Sequence, residues 1–132
     1  MKKAPQKVYV VDNGFVAAKA FSQSENLGRL LENQVFIELI RRGYDTEKSL
    51  FYYRSRNDKE VDFVLRHGTQ IEQLIQVCYD MNGRNTEKRE VNSLVECAGE
   101  LKCNNLTIIT NKERKMIEKD GYAINVVPIS EF

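Results

Sequence analysis

Four short segments of this sequence carry acidic, amide or basic side chains at spacings that suit a polar site. They are Glu32, Glu60-Val61-Asp62, Gln76-Val77-Cys78 and Lys88-Arg89-Glu90. Alternate residues of a strand share a face, so Glu60 is expected beside Asp62, and Gln76 beside Cys78. An Asp between apolar neighbours is costly unless it is solvated, hydrogen-bonded or bound to a metal. The ordinary alternatives are a solvated Glu32 and a Glu60 that pairs with Lys59 or Arg54.

Hydrophobic periodicity predicts the elements that position the first three segments. A β-branched run at 7–11, followed by Asp12-Asn13-Gly14, predicts a strand and a turn. Apolar residues at helical spacing predict a helix over 25–42, with Ser24 as N-cap and Gly43 at its end. Three strands are then predicted at 50–54, 60–66 and 71–79, with the last two joined by a hairpin at His67-Gly68-Thr69. We expect these three strands to form a meander.

The second half of the chain is predicted to return to helix and strand. The apolar period indicates a helix over 86–102, which ends before Asn104-Asn105. A continuous apolar run at 106–110 is typical of a strand buried on both faces. We expect a short charged helix over 112–119 and a last strand over 123–127. The order αβββαβ therefore predicts an α/β fold in which helices flank a central mixed sheet.

Size and composition favour one domain over residues 1–132. The chain has 132 residues, 42% of them hydrophobic and 30% charged, and its net charge is +1. These values exclude disordered and collagen-like classes, and they give no overall field that would attract nucleic acid or an anionic membrane. The apolar runs are far shorter than a membrane span requires. Three cysteines without a CxxC pair indicate a reducing compartment, so we expect a cytoplasmic protein.

Several common chemistries have no motif in this sequence. The seven glycines are scattered singly, so neither a Walker P-loop nor a dinucleotide-binding turn is present. The one histidine, His67, stands beside Gly68 at a predicted hairpin and carries no GxSxG or HExxH context. Cys97 and Cys103 are expected to pack as small apolar residues. The remaining candidates are therefore the four polar segments.

A basic cluster lies between the first two predicted strands. Arg54, Arg56 and Lys59 stand there with Tyr52 and Tyr53. Cations can contact phosphates and aromatic rings can stack on bases, so this cluster is the predicted nucleic-acid contact, with Arg66 as a further cation. The ordinary interpretation of such a run is solvated surface.

These residues carry a resemblance that covers the chain from Lys7 to Phe132. The helix Glu, the strand Asp and the X-Val-X of the next strand resemble the PD-(D/E)XK, or restriction-endonuclease-like, superfamily. The motifs that carry the closer likeness are KVYVVD at 7–12, GRLLEN at 28–33, EVDFV at 60–64, IIT at 108–110 and VP at 127–128. Together they look like the domain found C-terminal to an AAA+ ATPase module in many prokaryotic proteins. The resemblance implies that the chain is the C-terminal part of a longer ATPase, as its start almost directly on a strand also suggests, with ATP bound only in the absent upstream domain.

The resemblance also implies roles for the polar residues. In that superfamily the helix Glu and strand Asp, here Glu32 and Asp62, bind Mg²⁺ or Mn²⁺, and the ion acts as a Lewis acid on a phosphodiester. A Glu-X-Lys pair completes the site. This chain has Gln76-Val77-Cys78 there: the amide brings no charge, and a thiol cannot replace an ammonium.

Two functions follow, and a third comes from the apolar residues. We expect a nuclease-fold module of an AAA+ ATPase without catalysis, which binds nucleic acid or protein. The alternative is an active Mg²⁺- or Mn²⁺-dependent DNA endonuclease in which Lys88 or Arg89 supplies the cation and Glu60 the lost carboxylate. The third is a protein-interaction domain with an exposed apolar patch, for which Phe15, Phe21 and the tail 129–132 are the candidates.

Overall fold

The computed structural model describes residues 23–132, with side chains from residue 25 onward. The predicted strand at 7–11, its turn at 12–14, Phe15 and Phe21 lie outside these residues. The elements in chain order are α1 (Gln23–Arg41), β1 (Leu50–Arg54), β2 (Glu60–His67), β3 (Gln70–Val77), α2 (Arg84–Leu101), β4 (Leu106–Thr110), β5 (Lys115–Lys119), β6 (Tyr122–Pro128) and a 3-10 turn (Ile129–Glu131). The predicted mixed α/β class is confirmed.

The first helix ends as its sequence predicts. Gly43 has φ +102, a left-handed conformation that glycine adopts without a Cβ clash. The N–H of Gly43 donates to the Ile40 carbonyl at 3.0 Å, and the N–H of Tyr44 donates to the Leu39 carbonyl at 3.1 Å. This pair of bonds is a Schellman motif, and Leu39 and Tyr44 pack in the same apolar cluster. The predicted N-cap is wrong, because the helical backbone already includes Gln23 and so places Ser24 inside α1.

Six described strands form one mixed sheet in the order β1-β2-β3-β4-β6-β5. The pairs β1/β2 and β2/β3 are antiparallel, so the predicted meander is confirmed. The pairs β3/β4 and β4/β6 are parallel, and β5/β6 is antiparallel. All five residues of the central β4 are buried, as its continuous apolar run predicts. The α2 helix is the crossover between the parallel strands β3 and β4.

The prediction of a helix over 112–119 is wrong, because residues Lys115–Lys119 form the edge strand β5. Ile117 packs against the core while Met116 is 61% exposed, which is the period of two that a strand at a sheet edge shows. Lys119 pairs with Tyr122 across a two-residue turn in which Asp120 and Gly121 both have positive φ. An Asp-Gly turn of this kind fixes a β-hairpin, so the turn chemistry overrode the charged helical pattern.

Strand β2 contains a bulge beside the candidate site. Phe51 pairs with Val64 and Tyr53 pairs with Val61, so one residue of β1 faces both Asp62 and Phe63. Val61 and Val64 consequently pack on the α2 side of the sheet, whereas Phe63 packs on the α1 side. The alternation that would place Val61 and Phe63 on one face of a regular strand is therefore interrupted at Asp62. Bulges of this type re-aim side chains.

Two apolar clusters stabilise the sheet, one on each face. The α1 side is built on Leu31, Val35 and Leu39, and the α2 side on Val91 and Leu94. The three cysteines are buried on the α2 side as free thiols, which confirms that Cys97 and Cys103 pack as small apolar residues. Neither α1 nor α2, the two α-helices within residues 23–132, has the combination of length and apolar character that a membrane-spanning helix needs.

The C-terminal tail does not form an exposed apolar patch. Ile129 and Phe132 pack partly buried against the α1-side cluster. The Arg42 guanidinium lies 4.2 Å from the centroid of the Phe132 ring and also donates to the Phe132 carbonyl.

His67 stands exposed at the end of β2 and pairs with Gln70 across the turn at Gly68, so the predicted hairpin is confirmed.

Candidate functional site

All four polar segments contribute to one cleft of about 510 Å³. Its walls are the first half of α1, the start of β2, the end of β3 and the first half of α2. Glu32, Asp62 and Gln76 line it, as do Glu60 and the neighbours Arg89 and Glu90. The predicted convergence of these segments is therefore confirmed, although Cys78 and Lys88 are not among the described residues that line the cleft.

Asp62 is anchored to the backbone of the neighbouring strand. Its Oδ2 atom accepts a hydrogen bond from the N–H of Val77 at 2.8 Å. Asp62 lies where the register with β3 ends, since Phe63 pairing with Ile75 is the last regular pair on that side. The carboxylate therefore continues the contact between the two strands after the backbone ladder has stopped.

Gln76 completes this contact from the opposite strand. Its Oε1 atom accepts from the Asp62 N–H at 3.0 Å, and its Nε2 atom donates to the Glu60 carbonyl at 3.0 Å. The two partners fix which end of the amide is oxygen, because an N–H requires an acceptor and a carbonyl requires a donor. The side chain is only 5% exposed. The Gln76 side chain therefore joins β3 to β2 through two hydrogen bonds.

Glu90 brings a second, half-buried carboxylate into the cleft from α2. Burial raises its pKa above the usual range, and the nearby charge of Asp62 raises it further. Arg89, whose Nε lies 3.6 Å from Glu90 Oε1, and the Gln76 amide both act in the opposite direction. Arg89 is largely exposed, so water screens its charge. Glu90 and Asp62 therefore lie close together inside the cleft. Arg89 and the Gln76 amide offset only part of the unfavourable effect of burial and of the Asp62 charge on the ionised Glu90.

Glu32 and Glu60 stand at different depths. Glu32 is half-buried and reaches the cleft from α1. Glu60 is exposed, and its carboxylate accepts from the Tyr52 hydroxyl and, at 3.1 Å, from Arg54. The ordinary expectation that Glu60 pairs with Arg54 is confirmed. Glu60 therefore belongs to the rim of the cleft and is held toward β1.

Of the two cations that the sequence offered for this site, Arg89 lines the cleft and Lys88 does not. Lys88 is exposed on α2 outside the lining, whereas Lys59, Arg29 and Arg89 line the cleft. Cys78 lies in the α2-side core, where burial raises the pKa of its thiol to about 12. A neutral, buried thiol offers no charge to a substrate.

Sequence reasoning missed several lining residues on α1 and in the β1–β2 turn. They are Glu25, Gly28, Arg29 and Asp58. The first three precede Glu32 at spacings of seven, four and three residues, which is one face of a helix. That spacing was the available signal for the α1 wall. Asp58 has φ +60 and depends on the turn conformation, for which the sequence carried no comparable signal.

The metal that the superfamily resemblance implies does not fit the donors in this cleft. Within the described part of the chain, no group of three or more His, Cys, Asp or Glu side chains is arranged to hold a metal ion. At the position of the third acidic ligand, the Gln76 oxygen accepts the Asp62 N–H. A hard divalent cation needs several oxygen ligands with carboxylate charge. The donors of this cleft do not form such a ligand set.

The predicted nucleic-acid patch is interleaved with carboxylates. Arg54 pairs with Glu60, and the backbone N–H of Arg56 donates to Glu100 at 3.1 Å. Tyr53 is 5% exposed and its hydroxyl donates to Glu100 Oε1 at 2.5 Å, so its ring is not available for base stacking. Arg66 lies 4.6 Å from the centroid of the Phe51 ring and donates to the Lys48 carbonyl.

Two glutamates of α2 hold the β1–β2 turn that carries Lys59 into the cleft. Glu96 accepts from the Ser55 hydroxyl and from Asn57 Nδ2 at 3.2 Å. Glu100, one helical turn further on, accepts from Tyr53 and Arg56 as described above. Ser55 Oγ in turn accepts from the Lys59 N–H at 3.0 Å. This turn clamp of Glu96 and Glu100 was not predicted, because its contacts join residues about forty positions apart.

Two curated relatives align with most of this chain. An uncharacterized protein of Methanocaldococcus jannaschii is 38% identical, and one of Haemophilus influenzae is 31% identical. Each alignment covers 92% of this chain but 28% of the relative. The chain therefore spans little more than a quarter of the length of these relatives.

A solved structure aligns over 96% of this chain and 38% of its own, with 10% identity and a TM-score of 0.47. It is a half-complex from a tetradecameric assembly of Thermococcus gammatolerans McrB AAA+ hexamers with bound McrC. A likeness at this level carries no conclusion about function. The family model described as Domain of unknown function (DUF4143), in contrast, matches residues 27–132, which include all the described strands and α2. The chain belongs to the DUF4143 family.

Proposed function

We propose that this domain is a non-catalytic, nuclease-fold module of an AAA+ ATPase, and that its cleft docks a cationic segment of a protein partner. The observation that carries the proposal is the charge of the cleft. Among the described residues, six carboxylates line it, from Glu25, Glu32, Asp58, Glu60, Asp62 and Glu90, against the three cations Arg29, Lys59 and Arg89. Such an excess of negative charge repels a polyanion and attracts a cationic group.

The donors inside the cleft support a binding role over metal-dependent cleavage. Phosphodiester hydrolysis in this superfamily depends on a hard cation held by carboxylates, and on a lysine near the attacking water. The Gln76 amide is engaged by the backbone of β2, and Cys78 faces the core. Each missing charged group removes electrostatic stabilisation of the transition state, which is worth about 3 kcal/mol for a single donor.

The ATPase assignment rests on the resemblance of the sequence motifs and on length. The relatives are more than three times as long as this chain, so most of each relative lies outside the matched domain. A module that reads a partner and changes the activity of an attached ATPase is consistent with that arrangement. Such a module needs a specific cleft but no chemistry of its own.

A second candidate, an active Mg²⁺- or Mn²⁺-dependent endonuclease, is favoured by one observation. Arg89, one of the two cations that the sequence offered, lines the same cleft as Glu32 and Asp62, and Lys59 adds an ammonium there that could take the role of the missing lysine. This alternative also keeps Arg54, Arg56 and Lys59 as the proposed nucleic-acid contact. The alternation of these cations with Glu60 and Glu100 weighs against it, because the carboxylates offset the field that phosphates would meet.

The test uses the full-length protein that contains this domain. ATP hydrolysis is measured for the wild type, for Glu25→Lys at the cleft, and for Glu118→Lys on the exposed edge strand β5. Both glutamates are exposed, so both variants should fold, and they carry the same charge change. We expect Glu25→Lys to change the ATPase rate and Glu118→Lys to leave it at the wild-type value.

The same protein is incubated with Mn²⁺ and supercoiled plasmid, and with Mn²⁺ alone in a calorimeter. We expect neither cleavage nor metal uptake. Plasmid cleavage that disappears in Asp62→Asn would replace the proposal by the endonuclease. Absence of ATP hydrolysis in the wild type, or equal rates in the two charge variants, would contradict the regulatory role.

A further inference from the structure

The Gln76 side chain lies where three walls of the cleft meet. It projects from the end of β3, it is bonded to two residues of β2, and it lies beside Glu90 of α2, whose pKa it lowers. The resemblance to the nuclease superfamily places a charged metal ligand at this position. The geometry here gives the residue a different set of partners.

The amide performs two tasks that a carboxylate cannot perform together. It accepts from the Asp62 N–H and donates to the Glu60 carbonyl, so it behaves like one peptide group of an absent strand residue. An ionised Glu has acceptors only. In the same place it would leave the Glu60 carbonyl without this donor and would add a negative charge beside Asp62 and Glu90.

From these contacts we infer that Gln76 is a positioning residue which holds the acidic walls of the cleft together without a metal ion. Its two hydrogen bonds fix the backbone of β2 at Glu60 and Asp62, the two positions from which these carboxylates project. The amide N–H group carries a partial positive charge, and it stands where the nuclease superfamily places a metal cation. In this cleft, position 76 holds the backbone of β2 and does not supply a metal ligand.

The test compares Gln76→Glu with Gln73→Glu, the same change on the same strand. Gln73 Nε2 donates to the Thr107 hydroxyl at 2.8 Å, and a hydroxyl can rotate to donate instead, so the carboxylate introduced by Gln73→Glu keeps a bond. Hydrogen exchange at the Asp62 amide and calorimetry with Mn²⁺ alone are measured on the full-length protein. The carboxylate of Gln76→Glu can still accept from the Asp62 N–H, but it loses the donor to the Glu60 carbonyl and is repelled by Asp62 and Glu90, so this end of β2 should open more often. We therefore expect Gln76→Glu to speed Asp62 exchange about ten- to a hundredfold and to take up no Mn²⁺. Gln73→Glu should leave Asp62 exchange unchanged.

A neutral variant covers the case in which Gln76→Glu fails to fold. Gln76→Met keeps the length of the side chain and adds no charge, and it should also speed exchange at Asp62 because both hydrogen bonds are lost. Mn²⁺ uptake by Gln76→Glu that Asp62→Asn abolishes would overturn the inference, as would unchanged Asp62 exchange in both Gln76 variants. The inference draws on the metal-free interpretation of the proposed function, yet the two fail separately. Plasmid cleavage by the wild type would contradict the function, whereas metal uptake gained only in the Gln76→Glu variant would contradict the role of Gln76.

Discussion

The carboxylate of Asp62 accepts the backbone N–H of Val77, with 2.8 Å between Oδ2 and the nitrogen. This bond joins the bulge of β2 to the last residue of β3 and sets one side chain of the cleft by a backbone contact. Asp62 consequently has a structural task whatever ligand the cleft receives. Substitutions at this position therefore change the stability of the fold as well as the charge of the cleft.

Asp62→Ala should lower the free energy of unfolding by about 1–3 kcal/mol, because the half-buried Val77 N–H loses its acceptor. Asp62→Asn keeps an oxygen at nearly the same place and should cost less than about 0.5 kcal/mol. Urea unfolding followed by circular dichroism measures both. Equal losses in the two variants would mean that the charge of Asp62 stabilises the protein and the Val77 contact does not.

The pKa of Glu90 should fall in Asp62→Asn. Burial is the larger cause of its raised pKa and the charge of Asp62 is the second, so removing that charge moves the pKa toward the usual range without restoring it fully. A carbon-detected NMR titration of the Glu90 carboxyl gives the value in each protein. A pKa that stays at the wild-type value would show that Asp62 and Glu90 do not interact.

Stability should decline as the pH rises above about 9. Burial raises the pKa of the Cys78 and Cys97 thiols from the ordinary 9.0 to about 12. Between these values the unfolded chain loses its thiol protons and the folded chain keeps them, so deprotonation favours unfolding. Urea midpoints at pH 8 and pH 10.5 should differ less in Cys97→Ala than in the wild type. An unchanged pH dependence in that variant would mean that groups other than the Cys97 thiol cause the loss of stability at alkaline pH.

The turn clamp predicts a large effect for a small substitution. Ser55 is 1% exposed, and its hydroxyl both donates to Glu96 and accepts from Lys59. Ser55→Ala should lower the free energy of unfolding by about 1–3 kcal/mol, because the Lys59 N–H and the Glu96 carboxylate both lose a part-buried hydrogen bond. Ser130→Ala, at an exposed position, is the matched control and should change it by less than about 0.5 kcal/mol. Comparable losses in both variants would contradict the clamp.

Neutralising the basic cluster should not change binding to DNA. Fluorescence anisotropy with a short labelled duplex compares the wild type with the triple variant Arg54→Ala, Arg56→Ala and Lys59→Ala. Each phosphate contact that a cation makes adds roughly 0.9 to the slope of log affinity against log salt. We expect equal slopes, since Glu60 pairs with the Arg54 guanidinium and Glu100, held by the backbone N–H of Arg56, adds a second negative charge to the same surface. A slope about 2 to 3 units shallower in the variant would identify a real phosphate contact.

Features that depend on near neighbours in the chain were predictable from the sequence. The apolar spacing of Leu31, Val35 and Leu39 located α1, and Gly43 marked its end because the left-handed conformation there excludes most other residues. The apolar run of β4 predicted its burial. The convergence of Glu32, the start of β2, the end of β3 and α2 followed from the order of the elements, since antiparallel neighbours bring their ends together.

Other features depend on contacts between residues far apart in the chain, and only the tertiary structure decided them. The amide of Gln76 looks in the sequence like a lost metal ligand, whereas fold geometry gives it two backbone partners on β2. Glu96 looks like a solvated helix residue but binds Ser55, 41 positions away. The bulge at Asp62 and the strand β5 likewise arise from pairing with another strand. Local sequence determines which conformation a segment prefers, but the hydrogen-bond partners of its polar groups are determined by the neighbours that the completed sheet brings to it.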